Sequence, residues 1–202
     1  MEHEGFRLIA GALDPGAQQA LVDQVLAATA DAPFYRPVTP GGRSMSVRMT
    51  NLGAQGWTTD ARGYRYQSHH PETGRPWPPV PDPLLALWAR LAGASAEPDC
   101  CLVNLYGEGA RMGLHQDKDE ADFSVPVLSV SLGDTAIFRI GGRKRNDPTR
   151  TVRLASGDVC LLSGPARLHH HGVDRILYGS SRLVPGGGRI NLTLRRARPL
   201  PG

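Results

Sequence analysis

Cysteine is scarce in this chain. Its 202 residues contain three, Cys100, Cys101 and Cys160, with no CxxC pair. An odd count without a secretion signal argues against a disulfide framework. It points to reduced thiols, packed as small buried hydrophobes in a cytosol-like compartment. Long apolar runs are also missing. None approaches the roughly 18–20 residues of a membrane span, so no membrane role is expected. The opening Met1-Glu2-His3-Glu4-Gly5 lacks the basic and apolar regions of a signal peptide, and a cytoplasmic location is the expectation. No repeat or low-complexity tract interrupts the sequence, and its length suits one domain, 1–202, with a substantial core. Lysine and arginine number 23 against 19 acids, a net charge of +4 with a pI near 9.2. That excess leans toward a polyanionic partner without naming one. The clusters Arg143-Lys144-Arg145 and Arg195-Arg196-Arg198 read, from charge alone, as solvated faces.

Residues 5–11 read as a short strand. Asp14-Pro15 then supplies an N-cap and a first-turn proline, and Leu21, Val22, Val25 and Leu26 follow at helical spacing, predicting a helix to about Ala30. Met45, Val47 and Met49 alternate with polar residues, as in a half-exposed strand. Aromatics make up only 6% of the chain, yet Trp57, Tyr64 and Tyr66 gather with arginines in the Gly-rich stretch 41–75. Such interleaving can stack bases and meet phosphates; the plain alternative is a small hairpin with a satellite core. Pro76 to Pro83 reads as a rigid connection. Asp82-Pro83 is expected to cap a second helix, with Leu84, Leu85, Leu87, Trp88 and Leu91 as its apolar face.

From Cys100 the signals become those of closely spaced strands, at about 100–106, 111–116, 125–132, 135–140, 150–154, 157–163, 167–172 and 188–195. Eight short strands without intervening helices, preceded by helices, predict an α+β, mainly β protein: a jelly roll of the cupin-like kind.

Within Leu114-His115-Gln116-Asp117-Lys118-Asp119-Glu120, a strand would turn His115 and Asp117 to one side. An imidazole and a carboxylate converging are two thirds of the facial triad that binds non-haem Fe(II). His169-His170-His171 offers the third ligand. His169 and His171 share a face by strand parity, and spacing does not choose between them. On the last strand Arg189, Asn191, Thr193 and Arg195 share a face opposite Ile190, Leu192 and Leu194. Inward-facing arginines call for anions, and a guanidinium fork grips carboxylates. Asn104 and Tyr106 share a face on the first core strand, so these groups could together hold a small dicarboxylate. The plain alternative for the last strand is an outward-facing basic edge.

Asn104-Leu-Tyr106, Leu114–Glu120, Gly141–Pro148, His171-Gly172 and Arg189–Arg195, with Met45–Asn51 and Trp57–Tyr66 before them, resemble the AlkB family of Fe(II)/2-oxoglutarate dioxygenases. They are most similar to its bacterial DNA-repair members. The likeness runs in order over nearly the whole chain. It implies a double-stranded β-helix at 100–202, preceded by an extension at 1–99 that carries a nucleotide-recognition lid at about 41–75. The implied metal ligands, and with them the catalytic centre, are His115, Asp117 and His171. Asn104, Tyr106, Arg189, Asn191 and Arg195 would line the 2-oxoglutarate pocket, with Arg189 and Tyr106 at the distal carboxylate and Arg195 near the C1 carboxylate. Trp57, Tyr64, Lys118, Asp119 and Arg145 would meet the substrate, the base stacking between Trp57 and His115. The implied cofactors are Fe(II), 2-oxoglutarate and O2. The implied reaction is oxidative demethylation of 1-methyladenine and 3-methylcytosine type lesions. The implied partner is single-stranded DNA, with double-stranded DNA and RNA as further substrates, and the protein is expected to act as a monomer. Such cationic bases suit the carboxylate of Asp119. His169-His170 and Arg43 depart from the aromatics expected of relatives and bear on substrate range. The competing expectations are an AlkB-like oxygenase acting on modified tRNA, and a metal-free nucleic-acid-binding module. The latter would have lost a ligand or a gripping arginine, and all are present. A zinc hydrolase on the same scaffold would leave Arg189 and Arg195 unexplained.

Overall fold

A computed structural model describes residues 2–93 and 97–199. Met1 and residues 94–96, in the expected N-terminal extension, and residues 200–202, at the end of the expected core, lie outside them.

In chain order the elements are β1 (Glu2–His3), β2 (Phe6–Ile9), α1 (Pro15–Ala28), β3 (Arg48–Leu52), β4 (Gly56–Asp60), β5 (Gly63–Gln67), α2 (Asp82–Leu91), β6 (Cys100–Tyr106), β7 (Met112–His115), β8 (Val127–Gly133), β9 (Ala136–Ile140), β10 (Arg150–Leu154), β11 (Val159–Leu162), a 3-10 turn (Gly164–Leu168), β12 (His171–Ile176) and β13 (Arg189–Arg195). Helix α1 starts as its sequence demands. Asp14 accepts from the Ala17 backbone N–H, and Pro15, which has no N–H to lose, opens the first turn. Helix α2 begins one residue earlier than expected. Pro81 is its cap and Asp82 lies in the first turn, where its charge complements the exposed N–H groups without a side-chain capping bond.

The strands form a seven-stranded sheet, β1-β2-β11-β8-β13-β6-β3, facing a four-stranded sheet, β10-β9-β12-β7, with β4 and β5 as a separate hairpin. Among the described residues every strand pairs antiparallel to its neighbours. This is the jelly roll expected from the strand spacing. Strand parity divides the core. Val103, Leu105, Leu128, Val130, Ile190, Leu192 and Leu194 pack away from the second sheet against α1 and α2. Leu102, Tyr106, Val127, Phe138, Leu162 and Val173 fill the space between the sheets. The three cysteines are free and buried, as their scarcity suggested. Among the described residues no helix is long and apolar enough to cross a membrane.

Two expectations need correction. The strand expected at 167–172 is instead a 3-10 turn followed by β12 from His171. Pro165 suits that turn and cannot serve a sheet ladder. The strand expected around Met45, Val47 and Met49 begins only at Arg48; the alternation holds there, with Val47 and Met49 buried and Ser46 and Arg48 exposed, and it ends at Thr50, Asn51 and Leu52, which are all buried. Strand β3 pairs with β6 at the end of the seven-stranded sheet.

Candidate active site

A cavity of about 360 Å³ opens between the two sheets. Every site residue expected from the sequence lines it: His115, Asp117, His171, Asn104, Tyr106, Arg189, Asn191, Arg195, Trp57, Tyr64, Lys118, Asp119 and Arg145. Strand β13 is the sheet's interior strand between β8 and β6, which overturns the edge-strand alternative for its arginines. Arg195, grouped by sequence with a solvated basic cluster, is only 6% exposed.

His115, Asp117 and His171 each present one ligand atom, and these atoms lie within 4.8 Å of one another. The two imidazole Nε2 atoms stand 3.7 Å from opposite oxygens of Asp117. Their Nδ1 atoms are engaged by backbone carbonyls, Gly113 for His115 at 2.9 Å and His169 for His171 at 3.0 Å. A ring that donates from Nδ1 presents an unprotonated Nε2, the form that binds metal. Burial pushes the His171 pKa down to about 4, and His115 adds to the effect against the pull of Asp117, so the ring is neutral near pH 7. Burial alone would raise the Asp117 pKa; Arg195, then the two histidines, override it and hold the carboxyl well below the usual carboxylate range.

The convergence of these ligands does not come from strand parity. Strand β7 ends at His115, and Asp117 lies in the loop beyond it. The Arg167 guanidinium holds that loop, donating to the carbonyl of Asp117 at 2.6 Å, to the carbonyl of Val125 at 3.0 Å and to Glu120 at 2.9 Å. His169 likewise does not share a strand face with His171. It precedes β12, and its carbonyl orients the His171 ring. The two ligand strands meet because residue 172 is glycine: a Cβ there would lie 2.5 Å from the Met112 carbonyl oxygen.

Beyond the ligands the cavity is an anion receptor. Arg189 is 1% exposed. It donates to Ser131 at 2.9 Å and lies over the Tyr106 ring at 5.3 Å. Its Nε and Nη1 have no partner, and neither does Asn104 Oδ1. Buried donors left unmet are costly and mark where a ligand belongs. Burial lowers the Arg189 pKa and Tyr106 opposes it; a guanidinium keeps its charge through such a shift. Asn191 donates to Ser129 and to the Val130 carbonyl, and accepts from Thr193. Arg195 donates to Asp117 at 2.8 Å and to Glu120 at 3.3 Å, and its Nε is unpartnered. A triad of two imidazoles and a carboxylate, beside an arginine with free donors, fits Fe(II) and a dicarboxylate such as 2-oxoglutarate.

The mouth is built differently. Hairpin β4–β5 stacks Trp57 on Tyr64, with ring centroids 5.5 Å apart, and Trp57 Nε1 donates to Asp119 at 2.8 Å. Arg145 donates to the Leu114 carbonyl. Tyr64 is 52% exposed.

The sequence left Glu120 without a role and gave no reason to single out Arg167. Both are buried and form an ion pair, and Glu120 also accepts from the Tyr66 hydroxyl of β5. The carboxylate thus ties the hairpin to Arg195 and, through it, to Asp117. No local pattern could have revealed this, because every partner is distant in sequence.

Comparison with known proteins agrees with this geometry. The model of the 2OG-Fe(II) oxygenase superfamily matches residues 5–195. The alpha-ketoglutarate-dependent dioxygenase AlkB homolog of Caulobacter vibrioides is 68% identical over 194 residues, 96% of this chain and 88% of that one. The alpha-ketoglutarate-dependent dioxygenase AlkB of Escherichia coli is 44% identical over 185 residues, 90% and 85% of the two chains. A solved structure of OsALKBH1 superposes with a TM-score of 0.84 at 30% identity, covering 97% of this chain and 98% of the other. The chain therefore belongs to the AlkB family of the 2OG-Fe(II) oxygenases, and it is an Fe(II)- and 2-oxoglutarate-dependent dioxygenase.

Proposed function

We propose that this enzyme removes N-methyl groups of the 1-methyladenine and 3-methylcytosine type from DNA, preferring single strands, with double-stranded DNA and RNA as secondary substrates. The observation that carries the proposal is the division of one cavity into a buried, charge-lined inner end and an aromatic mouth with one carboxylate. Two relatives named AlkB dioxygenases support the reading.

In this reading His115, Asp117 and His171 hold Fe(II). Arg189, beside Tyr106, grips the distal carboxylate of 2-oxoglutarate, Arg195 attends the C1 carboxylate, and Asn104 and Asn191 line the same pocket. When bound, Fe(II) with 2-oxoglutarate and O2 supplies the oxidation that hydroxylates the N-methyl carbon, after which formaldehyde departs and the base is restored. The base must leave its stack at a cost of a few kcal/mol, less for single strands. Trp57 and Tyr64 offer it a stacking surface, with His115, whose side chain is 40% exposed, on the other side. Asp119 favours a cationic base, and Lys118 and Arg145 meet the backbone or the base. Residues 1–99, including the lid at about 41–75, form the substrate-recognising extension, and 100–202 the catalytic core. In the same reading the enzyme acts as a monomer in the cytoplasm.

Formaldehyde release from methylated single-stranded DNA, double-stranded DNA and tRNA tests the proposal. Fastest release from single-stranded DNA is expected. Release from tRNA alone would replace the substrate, and release from none of them would sink the demethylase reading.

A further inference from the structure

The connection from β12 to β13 runs from Leu177 to Gly188 with no regular element in it. It ends on three successive glycines, Gly186, Gly187 and Gly188, with φ of 80°, 80° and 99°. Glycine loses the most conformational freedom on folding, so a segment that ends this way needs something to hold it. Asp134, in the short link between β8 and β9, does so. It is 1% exposed. Its carboxylate accepts from the backbone N–H groups of Gly179 at 3.0 Å and Ser181 at 2.7 Å, near the start of the connection, and of Gly188 at 3.1 Å, at its end. The Ser180 hydroxyl also donates to it, at 3.4 Å. The Asp134 N–H donates in turn to the Gly188 carbonyl at 2.9 Å. Among the described residues no cation pairs with this carboxylate, so N–H and O–H donors of one segment meet its charge. Such charge-assisted bonds are roughly twice as strong as neutral ones.

The clamp closes directly beside Arg189. Gly188 precedes that residue, and Arg189 pairs with Gly133 on β8 and with Tyr106 on β6. Three backbones meet there without side chains between them. A Cβ on Gly133 would lie 2.5 Å from the Gly188 carbonyl oxygen, and a Cβ on Gly188 would strike the Tyr106 carbonyl. From this seat the Arg189 guanidinium reaches Ser131 and the Tyr106 ring, with Nε and Nη1 unpartnered. A long arginine places its fork well only if its starting point is fixed. Asp134 itself does not line the cavity, so whatever it does for a ligand it does through Arg189.

We propose that Asp134 is a positioning residue for the 2-oxo acid. By tying both ends of the 177–188 connection it sets the height of Arg189, and through Arg189 the affinity for a distal carboxylate. This rests on the assignment of Arg189 to that carboxylate under the proposed function.

The test is anaerobic calorimetric titration of the Fe(II)-loaded protein with 2-oxoglutarate and with oxalate, which chelates a metal but has no chain to reach Arg189. Asp134→Asn keeps the volume and one acceptor oxygen but turns the other into a donor facing N–H groups. It should weaken 2-oxoglutarate on the order of tenfold and leave oxalate within about twofold. Amide exchange should quicken at Ser181 and Gly188 while the middles of β6 and β8 stay protected. Equal loss of both ligands overturns the proposal, because the metal ligands would then have moved as well. So does unchanged 2-oxoglutarate affinity. Loss of protection in β6 and β8 overturns it too, since Asp134 would then support the fold rather than Arg189. Arg189→Gln separates the two readings. If that variant keeps its 2-oxoglutarate affinity, the assignment of Arg189 fails. If it loses 2-oxoglutarate and not oxalate while Asp134→Asn changes neither, the clamp alone fails.

Discussion

The two ends of the cavity use the same residue types in opposite ways. At the inner end Asp117, Glu120, Arg167, Arg189 and Arg195 are all buried, and four of them form one continuous ion-pair network. At the mouth Lys118, Asp119 and Arg145 are exposed, and the two whose contacts are described above each have one. Buried charges act strongly because no water screens them, and they must be placed with care because an unpaired one is expensive. Exposed charges interact weakly and adapt. The inner end is thus built to hold one small anion and one metal in one geometry. Under the proposed function, the exposed charges of the mouth can adjust to bases of more than one shape.

The largest break in this contrast comes from removing a ligand. His115→Ala should abolish the weak visible charge-transfer band of the anaerobic Fe(II)/2-oxoglutarate enzyme and reduce turnover to background; a retained band would show the metal is held elsewhere. Next is Arg167→Met, which strands Glu120 and the Asp117 loop. A loss of about 3–5 kcal/mol in denaturant melts is expected, and a loss under ~1 kcal/mol would mean the network relaxes without it.

The third test is acid. His171 has its folded pKa lowered from 6.5 to about 4, so the metal-free unfolded state binds more protons between those values. Stability is full above pH 6.5 and falls as pH drops toward 4, by up to about 3 kcal/mol. The depressed Asp117 carboxyl extends the loss to lower pH. A flat profile between pH 7 and 4 in the metal-free protein would contradict a buried neutral imidazole. The smallest effects belong to the mouth. Asp119→Ala should slow demethylation of cationic bases tenfold or more, as befits a charge-assisted hydrogen bond of about 1.5–3 kcal/mol. It should spare neutral methylated bases and uncoupled succinate formation. Equal losses on both classes would move Asp119 from selectivity to structure.

How much of this was legible in the sequence follows the same divide. Strand parity placed Arg189, Asn191, Thr193 and Arg195 on the cavity side of β13 and Asn104 with Tyr106 on β6, because regular strands obey a period of two. Parity gave the right convergence for His115 and Asp117 through the wrong cause, since a loop and not a strand carries Asp117. It misread His169, because Pro165 and a 3-10 turn replace the expected ladder. Glu120 and Arg167 were illegible: their meaning lies in partners 42 to 75 residues away in sequence, and Glu120 had no role that its neighbours in sequence could suggest.

Gly172 sets a length scale for the whole centre. Because a single methyl group at that position would strike a main-chain oxygen 2.5 Å away, the spacing of β7 and β12 is gauged by backbone against backbone. The separation of His115 and His171 is therefore a property of the main chain, insensitive to how side chains around it repack. Substitutions at the mouth can vary freely without changing the bite of the metal site. One added carbon at residue 172 would widen that bite while leaving every ligand in the sequence.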